Sequence, residues 1–193
     1  MEADWEFEVG GDAPVIDACW PGFVDLRWSP EYASDLSNRV RALQEAAQLP
    51  ALAAALERLN SQRSPVWTSK CDFWPALEPG EFDSDELDAP AGWCTHAMGC
   101  YIDLLPKSDQ KWQFPGMIAA TCKHVCAVLH AVPLRNCRVD LVIRRAMITP
   151  DLMDQGITAY ITACGPTASN AKDALEDALN AIAHAICPDS TVQ

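Results

Sequence analysis

Cysteine and histidine residues lie close together in two short stretches, Cys94-Thr-His-Ala-Met-Gly-Cys100 and Cys122-Lys-His-Val-Cys126. Thiolates and imidazoles are ligands that zinc prefers, and structural zinc sites usually draw on close cysteine pairs located on turns. Cys122 and Cys126 instead stand four residues apart in a predicted helix, with His124 on its other side, a spacing typical of core packing. We therefore predict no metal site.

The first stretch suggests a different kind of chemistry. If it is extended, Cys94, His96 and Cys100 share one face of a strand, and an imidazole beside a thiol lowers the thiol pKa and creates a nucleophile. The chain has no nucleophile elbow, no phosphate-binding loop and no dinucleotide fingerprint, so we predict no cofactor. One hypothesis is therefore a small enzyme with a Cys/His site at these three residues.

Five predicted strands carry an aspartate between apolar residues: Asp17, Asp25, Asp72, Asp103 and Asp140. Strand side chains alternate between two faces, so the aliphatic neighbours would form a core face and the aspartates would gather on the opposite, open face of the sheet. Aromatic and arginine side chains at the same register are typical of interface anchors. The predicted binding surface on this face comprises Asp25, Arg27, Asp72, Trp74, Tyr101, Asp103, Asp140, Arg144 and Tyr160.

Two other interpretations fit the same pattern. The charges could be cross-strand Asp–Arg pairs on a solvated face, each contributing less than about 1 kcal/mol to stability. The aspartates could also form a carboxylate metal site, although no two of them are close in sequence.

Acidic residues are concentrated in the first half of the chain. Of 27 Asp and Glu residues, 18 lie in residues 1–90, and the formal net charge is −13. This charge argues against nucleic-acid binding and would steer a basic protein towards the molecule. Proline, glycine and mutual repulsion predict a solvated acidic segment at residues 77–91. Its candidate binding residues are Glu81, Asp83, Asp85 and Glu86.

Hydrophobic periodicity predicts the elements that must position these residues. Apolar stripes at helical spacing follow Ser29-Pro30-Glu31 and recur in residues 51–60, 115–132 and from about Ser169 to Pro188. Alternation predicts strands at 15–20 and 23–28, joined by a Pro21-Gly22 turn, and at 65–74, 93–105, 137–148 and 156–164. We predict a single domain over residues 1–193. Its expected fold is a two-layer α/β sandwich with a six-stranded, largely antiparallel or mixed sheet and helices on one face.

The cellular setting follows from what the chain lacks. The sequence does not start with the basic region and apolar run of a signal peptide. No apolar stretch reaches the roughly 18 residues needed to span a bilayer. We expect a cytoplasmic protein that does not contact membranes, with its nine cysteines mostly reduced and buried.

The preferred function is a non-enzymatic, acidic protein-binding domain similar in role to an inhibitor, immunity protein or adaptor. It would engage a protein partner, expected to be basic, through the acidic N-terminal half and the open face, and the open face could also pair two copies of the chain. The Cys/His enzyme remains the alternative.

Overall fold

The computed structural model describes residues 1–18, 20, 22–31, 34–78, 80–90, 92–107 and 115–189. Within these residues the framework is one mixed sheet. Its six strands are β1 (Glu2–Glu8), β2 (Val15–Asp17), β3 (Val66–Trp74), β4 (His96–Pro106), β5 (Cys137–Thr149) and β6 (Leu152–Gly165).

The strand order is β1-β5-β6-β4-β3, and β2 continues along the same edge of β5 that β1 occupies. Both β1 and β2 run parallel to β5, whereas β5, β6, β4 and β3 pair antiparallel. β4 and β5 are consequently parallel to each other, with β6 inserted between them. The long central strands carry the cross-strand rows from which the candidate site is built.

Helices cover one face of this sheet. They are α1 (Leu36–Arg41), α2 (Gln44–Gln48), α3 (Pro50–Leu59), α4 (Pro115–His130) and α5 (Ala168–Ile186). α4 packs against β1, and α5 packs against β6 and α3. α5 begins where Thr167 Oγ1 accepts a hydrogen bond from the Asn170 amide, 3.2 Å away, which satisfies a free N–H of the first turn. Leu175, Leu179 and Ile182 then fall on one buried stripe.

This architecture confirms the predicted fold class, an α+β sandwich with a six-stranded sheet. The elements from β3 to α5 follow the predicted order, and Leu26 and Leu141 are buried whereas Asp25 and Asp140 are partly exposed. No helix among the described residues combines the length and the apolar character needed to cross a membrane.

The first third of the chain differs from the prediction. β1 was not expected, and residues 23–28 form no strand; the predicted turn includes Pro21, which lies outside the described residues. The helix expected from Ser29 begins only at Leu36 and ends at Arg41. Leu43 then adopts an extended backbone, which separates α1 from α2 although the apolar spacing continues.

The face opposite the helices, the open face, is covered at both ends. At one end Ile16, Ala18, Trp67, Leu105 and Ala146 form a second apolar cluster. At the other end Leu87 of the acidic segment packs on Ala97 and Cys164. Ile16 therefore belongs to the open-face side and not to the predicted core face, because it pairs with Ala146. The exposed part of the open face is the central stretch between these two clusters.

Candidate functional site

An aromatic row crosses three strands of the open face. Trp74 of β3, Tyr101 of β4 and Tyr160 of β6 follow one another with ring centroids 5.8 and 6.0 Å apart. All three rings are half-buried. Gly99 makes room for the first of them, because a Cβ at that position would lie 3.1 Å from Cε3 of Trp74. The row thus rests closely on the sheet and keeps one side accessible to a partner.

Arg144 of β5 extends the row by one strand. Its guanidinium lies 5.4 Å from the centre of the Tyr160 ring and donates to Tyr160 Oη at 2.8 Å. On its other side it donates to Glu8 Oε2 at 2.7 and 2.5 Å. Charge-assisted hydrogen bonds of this kind fix a side chain firmly, so Arg144 orients the end of the row.

A buried carboxylate lies beside the aromatic row, two residues along β4 from Tyr101. Asp103 is only 5 % exposed and accepts a hydrogen bond from Thr158 Oγ1 at 2.7 Å. Burial raises its pKa, while the Thr158 hydrogen bond and the positive charges of Lys70 and Arg144 act in the opposite direction. Burial, followed by the negative charges of Asp103 and Asp72, raises the pKa of Tyr101 to about 12. Tyr101 is therefore a neutral hydrogen-bonding group at physiological pH.

Carboxylates flank the row on the side of β1. Every second residue of β1 is acidic, and the register pairs Asp4 with Asp140 and Glu8 with Arg144 on the open face. Arg138 donates to Asp140 Oδ1 at 2.8 Å and lies 3.7 Å from Glu86 of the acidic segment. Burial raises the pKa of Asp140 despite Arg138, with smaller contributions in the same direction from Glu86 and Asp4.

The acidic segment is attached to the sheet, which corrects the prediction of a fully solvated loop. Leu87, at the end of a short 3₁₀ turn (Asp85–Leu87), is 2 % exposed, and Cys94, three residues after the segment, forms a disulfide with Cys164 of β6. Pro79 and Ala91 of this segment lie outside the described residues. Its candidate binding residues are all exposed: Glu81, Asp83, Asp85 and Glu86.

Two of the residues predicted for the open face do not lie on the sheet. Asp25 and Arg27 lie on the segment between β2 and α1 and pair with each other at 2.5 Å. The Arg27 guanidinium is 5.1 Å from the Trp67 ring, at the covered end of the open face. The remaining strand residues, Asp72, Trp74, Tyr101, Asp103, Asp140, Arg144 and Tyr160, are brought together as predicted, because period-two alternation places each on the same face.

The alternative Cys/His site has no available thiol in this structure. Cys94 was expected to be a free thiol but is oxidised in the disulfide, and Cys100 is fully buried, with its pKa raised chiefly by burial. His96 is exposed and contacts Thr95 Oγ1 at 3.2 Å. The free cysteines are Cys71, Cys100, Cys122, Cys126, Cys137 and Cys187, whereas Cys19 lies outside the described residues. No group of three or more metal-ligating side chains is found in the described part of the chain.

Sequence reasoning missed the acidic residues of β1. Glu2, Asp4, Glu6 and Glu8 alternate with Ala3, Trp5 and Phe7, which is the period-two signal of a strand with one polar face. The same rule that located the aspartates would have placed these carboxylates on the open face.

Comparison with known proteins gives no independent guide: no protein-family model matches the chain, and neither curated proteins nor solved structures gave a significant match.

Proposed function

We propose that the protein is a non-enzymatic binding domain that engages a basic protein partner through its open face and acidic segment. The observation that supports this most directly is the half-buried aromatic row Trp74-Tyr101-Tyr160, held in place by Arg144 and surrounded by carboxylates. Aromatic and arginine side chains in partly desolvated positions carry most of the binding energy in protein interfaces.

The charge around the row favours a protein over a nucleic acid. An aromatic row on a sheet can stack bases, but nucleic-acid binding also requires cations that neutralise phosphates. Here β1 presents Glu2, Asp4 and Glu6 beside the row, and the exposed carboxylates of the acidic segment border one end. This field attracts a positively charged surface and accelerates its association.

We expect the aromatic row to provide most of the affinity and the carboxylates to increase the rate of association. Charges at the rim of an interface are screened by salt and mainly change the association rate. Buried aromatic rings at its centre mainly change the dissociation rate. We also propose that the protein is cytoplasmic and that it acts either as a monomer or as two copies paired through the open face.

Site-specific photo-crosslinking in the native host tests the proposal. A photoreactive phenylalanine at position 160 should capture a defined protein, and the same probe at Leu152, an exposed residue of the β5–β6 hairpin, should not. The captured protein should then bind the purified Trp74→Ser/Tyr160→Ser variant at least about tenfold more weakly than the wild type. Leu152→Ser serves as the matched control for removing an exposed apolar side chain.

Two results would argue against this function. One is a partner whose affinity is unchanged by the Trp74→Ser/Tyr160→Ser variant but lost with Leu152→Ser. The other is turnover of a substrate that depends on the open-face residues. Unchanged thermal unfolding of each variant would show that the comparison reports on the surface and not on folding.

A further inference from the structure

A cavity of about 540 Å³ lies beside the aromatic row, at the outer edge of β3. It is lined by Trp20 and Leu26, by residues 42–45 where α1 connects to α2, and by residues 68–72 of β3. Tyr101 lines both this cavity and the open face, so the two are continuous. The volume falls in the range of sites that accept a small ligand or a single long side chain.

An irregularity of β3 shapes the cavity. Thr68 pairs with Leu104 and Cys71 pairs with Ile102, which leaves Ser69 and Lys70 outside the regular ladder. Buried Asn60 holds the start of this bulge, because its Oδ1 accepts from the Thr68 amide at 3.0 Å and its Nδ2 donates to Thr68 Oγ1 at 2.7 Å. Bulges redirect side chains next to functional sites.

One polar group in the bulge lacks a partner. Ser69 lines the cavity, and its Oγ atom is buried with no hydrogen-bond partner among the described residues. A buried hydroxyl without a partner costs free energy, so the bulge is maintained at the expense of stability.

Two carboxylates in the cavity have no cation within ion-pair distance among the described residues. Glu45 of α2 and Asp72 of β3 both line it, and neither makes a salt bridge. Both carboxylates act on the nearby Cys71 thiol: burial first, and then negative charges with those of Glu45 and Asp72 leading, raise its pKa to about 12.

Lys70, which also lines the cavity, is not within ion-pair distance of either carboxylate. Lys70 Nζ lies 5.6 Å from the centre of the Trp20 ring, and its positive charge acts on the buried carboxylate of Asp103. The cavity therefore keeps a negative end near Glu45 and Asp72, with the Trp20 and Tyr101 rings among its walls.

We infer that this cavity receives an arginine side chain of the protein partner. The inference rests on the proposed function and extends it by naming the chemistry of one anchoring contact. Val24, Leu26 and Leu43 would pack on the methylene groups of the arginine. Its planar guanidinium would pair with the two carboxylates and stack on the aromatic walls, which a compact ammonium group does less well.

The probe for this inference is N-acetyl-arginine N-methylamide, titrated into the full chain and followed by NMR. The Trp20 indole N–H signal, assigned with Trp20→Phe, should shift saturably. The citrulline analogue has nearly the same shape without the charge, and it should produce no saturable shift. This comparison uses the wild-type protein and is independent of how any cavity variant folds.

Charge variants then identify the groups that recognise the probe. Glu45→Gln and Asp72→Asn should each weaken binding about threefold, because each removes one partly exposed carboxylate. Glu31→Gln, an exposed residue outside the cavity, should leave it unchanged. Lys70→Gln should strengthen binding of the cationic probe about threefold, because it removes a like charge from the cavity; weaker binding of the probe in this variant would overturn the inference.

The inference and the proposed function fail in distinguishable ways. The inference is overturned if the arginine and citrulline probes shift the Trp20 signal equally, or if neither produces a saturable shift. If the captured partner still depends on Trp74 and Tyr160 in that case, the open face remains the binding surface. If the arginine probe does not bind and the captured partner does not depend on Trp74 and Tyr160, both the inference and the proposed function are wrong.

Discussion

Asp103 shows how one residue of the open face balances burial against charge. It is 5 % exposed, its hydrogen bond comes from Thr158, and Lys70 and Arg144 provide positive charge nearby. Burial nevertheless dominates and raises the pKa above the ordinary 3.8. The folded protein therefore binds this proton more tightly than the unfolded chain does. Its contribution to the free energy of unfolding falls as the pH rises from about 3.8 through the raised folded-state pKa, and then levels off.

We predict that Asp103→Asn removes this component of the pH dependence. The free energy of unfolding of the variant should rise relative to the wild type as the pH increases above about 4, by about 1.4 kcal/mol for each unit of raised pKa. Urea unfolding from pH 3.5 to 7.5 measures this difference, and Asp83→Asn controls for the loss of one carboxylate at an exposed position. A difference that falls with pH would show that Lys70 and Arg144 outweigh burial.

At the scale of elements, neighbouring residues of β5 have different roles because their side chains point to opposite faces of the sheet: one face contributes to stability and the other to the proposed binding surface. Leu141 is 1 % exposed in the core, whereas its neighbour Asp140 pairs with Arg138 on the open face. We predict that Leu141→Ala lowers the free energy of unfolding by about 2–5 kcal/mol. Asp140→Asn should cost less than about 1 kcal/mol, because the pair is partly exposed.

Urea unfolding at pH 7 compares the two variants, with Leu152→Ala as the control for truncating an exposed leucine. Similar losses for Leu141→Ala and Asp140→Asn would mean that Asp140 belongs to a buried ionic network and not to a recognition surface.

The elements also show where sequence patterns suffice. Strands β3 to β6 and helices α4 and α5 were predictable because each has a strong apolar period of 2 or 3.6 residues. The same alternation brought Asp72, Tyr101 and Asp140 to one face. It failed for Asp25 and Arg27, which were assigned to a strand that does not form. The covered ends of the face and the Cys94–Cys164 disulfide depend on contacts between residues far apart in sequence, which local patterns do not contain.

At the scale of the whole molecule, the negative charge is placed where a partner would meet it. Leu87 packs the acidic segment against one end of the open face, and the Cys94–Cys164 disulfide fixes the chain to β6 just after the segment; the carboxylates at positions 81, 83, 85 and 86 are nevertheless exposed. β1 adds Glu2, Asp4 and Glu6 along one side. A fixed acidic border differs from a free acidic tail because its field has a constant direction relative to the aromatic row.

We therefore predict that neutralising the segment changes binding without changing stability. The combined Glu81→Gln, Asp83→Asn, Asp85→Asn and Glu86→Gln variant should keep a melting temperature close to the wild type. The exposed carboxylates contribute little to folding, and the amide oxygens can still accept the local backbone hydrogen bonds now made by Glu81 and Asp83. Association with the crosslinked partner should slow several-fold at low salt and become less salt-dependent, while dissociation changes little. Stopped-flow kinetics at two ionic strengths measures both rates. An unchanged association rate at low salt would restrict the acidic segment to a role in solubility and leave the aromatic row as the principal contact.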